Sequence, residues 1–209
     1  MIIISITGKK HSGKSTLSKM IAKNLSKKMP NRVVLHMAFG DKVKSMLLEA
    51  GICSHSSPYK KKTKRSRNIM QQFGTEIVRN QIDNNYWCKA LLARIKNAYL
   101  HEPECIVVID DTRFLNEWQM LLKLNAFTVN IKRPLEDQED QHQSEAEQDT
   151  FDFKDYDWLV NNNATKNDLE KDAKEVVEYV FWFSTPTVPA KHPYPTNEKH
   201  FKEVEKLWK

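Results

Sequence analysis

Ile2-Ile3-Ile4-Ser5-Ile6-Thr7-Gly8-Lys9-Lys10-His11-Ser12-Gly13-Lys14-Ser15 decides how the rest of the chain is read. Its first half is a short, mostly β-branched run bounded by glycine, the pattern of a buried strand. Beyond it, Leu17, Met20, Ile21 and Leu25 recur at helical spacing to Lys28, and Pro30 marks the stop. The residues between, Gly8 to Ser15, match G-x-x-x-x-G-K-[ST] in full and in the strand–loop–helix order the motif requires. Gly8 and Gly13 let the backbone wrap so that successive N–H groups converge on a phosphate, and the helix N-terminus adds partial positive charge. Lys14 can then reach the β- and γ-phosphates of a nucleoside triphosphate, and Ser15 offers its hydroxyl to Mg²⁺ with Thr16 behind it. Lys10 and Ser12 complete the donor-binding candidates, and ATP and Mg²⁺ are the expected cofactors. The chain of 209 residues holds only five glycines, so two at this spacing outweigh a chance turn.

Working outward, Val33–Ala38, Cys105–Asp110, Phe127–Ile131 and Trp158–Val160 read as further strands. Helical patterns follow Asp41 (read as an N-cap) as far as Gly51, and run over 68–82, 86–99, 115–124, 168–183 and 197–208. Near-continuous apolar strands alternating with helices predict an α/β fold of three layers, a five-stranded parallel sheet with helices on both faces. Asp110 and Asp111 end the plainest strand, where a carboxylate can organise the Mg²⁺ shell; either of the two is a candidate.

Composition removes several function classes. An apolar fraction of 40% suffices for an ordinary core, which excludes intrinsic disorder. Cys53, Cys88 and Cys105 are odd in number and widely spaced, which suggests neither a disulfide framework nor a zinc site. No apolar stretch approaches a membrane span, so the expectation is a cytoplasmic protein without a membrane partner. The net charge is +6, and residues 60 to 67 hold six basic groups in eight positions. No basic-aromatic stripe or DNA-binding motif accompanies them, so a solvated loop is expected rather than a nucleic-acid partner. The GTPase base-reading pattern N-K-x-D is absent.

A second set of motifs runs in order along the chain. Ala38-Phe39-Gly40-Asp41-Lys42-Val43-Lys44 is similar to F-A-D-P-L-K, and Gln72-Phe73-Gly74-Thr75-Glu76 with Arg79 and Tyr86-Trp87 to L-Q-x-x-G-T-E-x-x-R…W. Asp111-Thr112-Arg113-Phe114-Leu115-Asn116-Glu117 resembles D-x-R-F-x-N-E, with H-x-S-E at 142–145 and D-x-x-x-x-N from Asp157. Together, over residues 2 to about 181, they resemble the deoxynucleoside monophosphate kinases of phages and viruses, of the P-loop nucleoside monophosphate kinase superfamily. The resemblance implies transfer of a phosphoryl group from ATP to a deoxynucleoside 5′-monophosphate, in the host cytoplasm if the source is a virus. It implies one domain over 1–183, with an acceptor-binding region at about 39–87 and a lid at about 134–150, and a tail over 184–209. It also implies that Arg79 and Arg113, helped by Lys44 and Arg67, grip the acceptor phosphate. Phe39 and Trp87 would stack on its base and Gln72 would bond the base edge; Asn161 to Thr165 would lie beside the adenine of ATP. Arg133 is the one obvious arginine at the lid, because residues 136 to 149 hold seven acids and no Lys or Arg. A homodimer is left open.

Gly40 and Lys42-Val43 depart from the family pattern, and Ser15 replaces an Asp often found there. Two rival readings stand. Asp111-Thr112-Arg113, Ser144-Glu145 and Asp157-Trp158 are also similar to animal-type phosphomevalonate kinase. A non-catalytic nucleotide-binding module associated with nucleic acid is the other.

Overall fold

The computed structural model describes residues 1–52, 64–134, 147–151, 154, 156–184 and 196–208. In chain order the elements are β1 (Ile2–Thr7), α1 (Lys14–Lys28), β2 (Val34–Met37), α2 (Gly40–Glu49), α3 (Lys64–Gln71), a π-helix (Gln72–Ile82) and α4 (Tyr86–His101). Then come β3 (Ile106–Ile109), α5 (Leu115–Lys123), β4 (Phe127–Lys132), β5 (Trp158–Asn161), α6 (Lys166–Phe183) and α7 (Glu198–Glu205). They form two compact units, Met1–Met37 with Lys96–Lys209, and Ala38–Ile95.

In the first unit all five strands are parallel, in the order β2-β3-β1-β4-β5. Every residue of β1 and β3 is buried, the reason those strands read as unbroken apolar runs. Ile2, Ile4 and Ile6 turn to one face and join Leu17, Ile21 and Leu25 of α1 with Leu169, Ala173 and Val176 of α6 in a single core. Full burial of a side chain such as Ile4 contributes roughly 2–3 kcal/mol.

The opposite face of β1 and β4 is polar and internally bonded. Ser5 Oγ lies 3.1 Å from Thr112 Oγ1, Thr7 Oγ1 donates to the Tyr156 hydroxyl at 3.0 Å, and Asn130 Nδ2 donates to Thr7 Oγ1 at 3.0 Å. The Tyr156 ring packs 4.8 Å from that of Trp118, so α5 covers this side and the three-layer expectation holds.

Element ends follow local chemistry. Gly51 takes a left-handed φ of 67° after α2, letting the Ile52 amide bond the Leu47 carbonyl at 3.0 Å. Asp41 is not the N-cap expected of it: α2 starts at Gly40, and the Asp41 carboxylate reaches back to the Ala38 amide at 3.0 Å. At α6 the cap is Thr165, which accepts from the Asp168 amide while Asp168 bonds back to Thr165. Reading Asp168 as the start placed that helix late, because it is the N3 partner of a capping box.

In the second unit the single helix expected over 68–82 is two. α3 ends at Gln71, and a π-helix continues for 11 residues. Its buried positions are Gly74, Thr75, Val78 and Arg79. The i→i+5 winding stacks residue 79 under residue 74 and closes with the Asp83 amide on the Val78 carbonyl at 2.9 Å. At Gly74 a Cβ would come 3.4 Å from Val43 of α2, an ordinary van der Waals contact. The tail expectation of a short helix is met by α7, capped by Asn197.

Candidate active site

The Gly8–Ser15 loop leaves the C-terminal end of β1, the central strand. Gly8 and Gly13 have φ of 148° and 103°, and His11 adopts a φ of 63° between them. These left-handed turns wrap the loop, and at both glycines any side chain would collide. A Cβ at Gly8 would lie 2.3 Å from the Ile131 carbonyl oxygen, and one at Gly13 2.5 Å from Asn162 Nδ2. Lys14, 9% exposed, lays its ammonium on the carbonyls of Gly8 and Lys9, the latter at 2.7 Å. Ser12 is 1% exposed and its hydroxyl has no hydrogen-bond partner among the described residues. A Cβ on Gly8 would sit 2.8 Å from that hydroxyl. Lys10 is half-buried, and Ser15 and Thr16 lie exposed in the first turn of α1.

Asn162 was not singled out from the sequence. Its Nδ2 donates to the Ser12 carbonyl at 2.8 Å, and its own amide bonds the Lys132 carbonyl at 2.7 Å. It pins the loop from the end of β5. The signal available was the Asn closing the D-x-x-x-x-N element, read as an adenine neighbour. Asn161 is exposed beside it, and the Thr165 side chain is engaged in capping α6.

Asp110 follows β3. Its Oδ1 lies 3.3 Å from His36 Nε2, which also lies 3.1 Å from Ser18 Oγ on α1. Ser18 is one turn after Ser15 on the same helix, so Asp110 lies on the side of β3 that faces α1. His36 is a second residue missed in the sequence. Asp111 and Arg113 are half-buried in the loop before α5. That loop is fixed by the buried Glu117 carboxylate, which accepts from the amides of Arg113 at 2.9 Å and Phe114 at 3.2 Å. Arg133 is exposed just beyond β4. Of the expected lid, residues 135–146 with His142 lie outside the described residues. The remainder is tied to α5: Glu147 Oε2 accepts from the Leu115 amide at 3.1 Å, and Phe151 stacks on Trp118 at 5.2 Å.

Within the second unit, Asp41 gathers two cations, Lys44 at 3.2 Å and Arg94 at 3.0 Å. Burial would raise the pKa of Asp41, but the Arg94 hydrogen bond and the Lys44 charge outweigh it and hold the carboxyl below its ordinary range. Arg79 is 4% exposed and donates from Nη1 to Asn84 Oδ1 at 3.2 Å. Phe39 and Trp87 are each 4% exposed, and the Trp87 indole donates to the Gly74 carbonyl at 2.8 Å. Trp87 thus ties α4 to the π-helix, a packing role. Gln72 and Arg67 are exposed.

A family model described as deoxynucleotide monophosphate kinase matches residues 36–173, about two thirds of the chain. The chain belongs to the deoxynucleotide monophosphate kinase family. A protein of Acanthamoeba polyphaga mimivirus, provisionally named a deoxynucleotide monophosphate kinase, is 26% identical over 183 residues, 79% of this chain and 90% of that one. Dephospho-CoA kinase from Campylobacter jejuni superposes with a TM-score of 0.47 at 19% identity, over 85% of this chain and 96% of that one.

For a kinase of this family the donor loop has the right chemistry. The unpartnered Ser12 hydroxyl and the Lys14 ammonium suit a phosphate chain, and the N-terminus of α1 adds its partial positive charge. Among the described residues no three His, Cys, Asp or Glu side chains cluster for a metal. Mg²⁺ keeps several waters and takes one or two carboxylates plus substrate phosphates, so Ser15 with Asp110 or Asp111 is an adequate protein share. No described helix is long and apolar enough to cross a membrane.

Proposed function

We propose that this protein transfers the γ-phosphoryl group of ATP to the phosphate of a deoxynucleoside 5′-monophosphate, releasing ADP and the diphosphate. The observation that carries the reading is the wrapped Gly8–Ser15 loop, with buried Lys14 and the unpartnered Ser12 hydroxyl inside it, in a chain of this family. An acceptor oxygen forms the new bond to the γ-phosphorus as the bond to the β–γ bridging oxygen breaks, and the leaving charge stays on ADP. The acceptor is already ionised, so no general base is needed; positioning and charge neutralisation supply the catalysis.

Lys14, Ser12 and the loop amides hold the donor phosphates, with Lys10, Thr16 and the Asn161–Thr165 segment serving the rest of ATP. Ser15 and Asp110 would hold Mg²⁺, which would supply positive charge to offset that of the phosphates. Asp110 is preferred to Asp111 because its contacts lie toward α1. Arg79 and Lys44 take the acceptor phosphate, their guanidinium fork and ammonium suited to its oxygens, and Arg113 and Arg133 serve the transferring group. The acceptor region spans about 39–87, the lid about 134–150, and the work is done in the cytoplasm.

The test is ADP production from ATP with each deoxynucleoside monophosphate, each ribonucleoside monophosphate and phosphomevalonate in turn. Turnover with one or more deoxynucleoside monophosphates is expected. Turnover only with phosphomevalonate, or with no acceptor at all, sinks the proposal.

A further inference from the structure

His36 is a polar side chain on the apolar side of the sheet. β2 lies at one edge, and its register sets Val34 beside Ile106 and His36 beside Val108. Ile106 and Val108 belong to the core under α1 and Val34 packs against it, so the alternation of a strand carries His36 to that same face. Asp110, two residues beyond Val108, comes to this side too, where its Oδ1 lies 3.3 Å from His36 Nε2. The His36 side chain is 47% exposed, so packing does not account for a residue of this type here.

The same Nε2 lies 3.1 Å from Ser18 Oγ. Ser18 is fully buried on α1, and among the described residues His36 is the partner of its hydroxyl. Ser15 precedes Ser18 by about one helical turn. One ring nitrogen therefore meets both the end of β3, which carries Asp110, and the helix that carries Ser15. Mg²⁺ demands near-ideal octahedral geometry, so the spacing of its protein ligands matters. Outer partners that orient a ligating side chain are a general part of metal sites.

We infer that His36 is a positioning residue of the donor site, setting the Asp110 carboxylate relative to the turn of α1 that carries Ser15. The inference rests on the assignment of Ser15 and Asp110 to Mg²⁺, and His36 acts through Asp110 and Ser18 rather than as a ligand itself.

The experiment measures the dissociation constant of Mn²⁺, standing in for Mg²⁺, from the complex of the enzyme with ADP by electron paramagnetic resonance. ADP affinity without metal and Tm are measured beside it, in wild type, His36→Leu, His36→Gln and Asp110→Asn. His36→Leu is expected to weaken Mn²⁺ binding about tenfold, with metal-free ADP affinity within about twofold. His36→Gln, whose amide N–H can stand where the ring N–H stood, is expected to bind Mn²⁺ within about twofold of wild type. Wild-type Mn²⁺ affinity in His36→Leu, with or without a lowered Tm, overturns the inference while Asp110→Asn still binds the metal weakly. An equal loss in His36→Leu and His36→Gln overturns it as well. Unaltered Mn²⁺ binding in Asp110→Asn removes the underlying metal assignment, and His36 with it. None of these readings needs an acceptor, so they stand apart from the turnover assay that tests the reaction.

Discussion

Lys14 and Asp41 show how much one side chain settles here. Lys14→Ala should lower turnover with any accepted monophosphate by about 10²–10³-fold or more, read as ADP release, because it removes the ammonium held inside the loop on the Gly8 and Lys9 carbonyls. Asp41→Asn removes the charge that Lys44 and Arg94 share and should lower stability by about 1 kcal/mol at neutral pH. Because the folded-state pKa of Asp41 lies below the unfolded value, its contribution is complete above that value and is lost as pH falls through the folded one. The Tm difference between wild type and Asp41→Asn should therefore be full at pH 7 and close below about pH 4. A gap that stays constant down to pH 3 contradicts the charge assignment. Lys14 was legible in the sequence because its motif is local and its spacing obligatory. Arg94, His36 and Asn162 were not, because each meets a partner that only the fold brings near.

The elements divide in the same way. β1 and β3 could be read as apolar runs, since strands buried at every residue leave little room for polar ones. The π-helix could not, because its 72–82 stretch carries an ordinary helical pattern of apolar residues; the Trp87 indole bond to the Gly74 carbonyl in its first turn appears only in the fold. The donor loop depends on β5 as much as on α1, through the Asn162 bond to Ser12. Asn162→Ala should raise the Michaelis constant for ATP about fivefold or more while leaving that for the acceptor nearly unchanged. Equal effects on both substrates would place Asn162 outside the donor site.

In the whole molecule, the described end of the chain is docked against the sheet unit. Thr196 bonds the Met1 carbonyl through its amide at 3.0 Å and the Leu124 carbonyl through its hydroxyl at 2.6 Å. Phe201 of α7 packs edge-on against Tyr99 of α4 at 5.4 Å, and Lys96 pairs with Glu205. Phe201→Ala should cost about 3 kcal/mol in chemical denaturation, with kcat of the folded enzyme retained. A loss near zero would show that α7 is not part of the cooperative fold.

The central place of β1 also governs when the protein becomes competent during its synthesis. The phosphate loop is made before the strands flanking β1, which begin at Ile106 and Phe127, and before the loop's clamp, Asn162. At roughly 5–20 residues per second, the nascent chain carries an unassembled nucleotide motif for roughly 7–30 seconds before that clamp is even made. ATP affinity should therefore emerge late and abruptly in a series of ribosome-stalled chains, with length rather than motif as the limiting quantity.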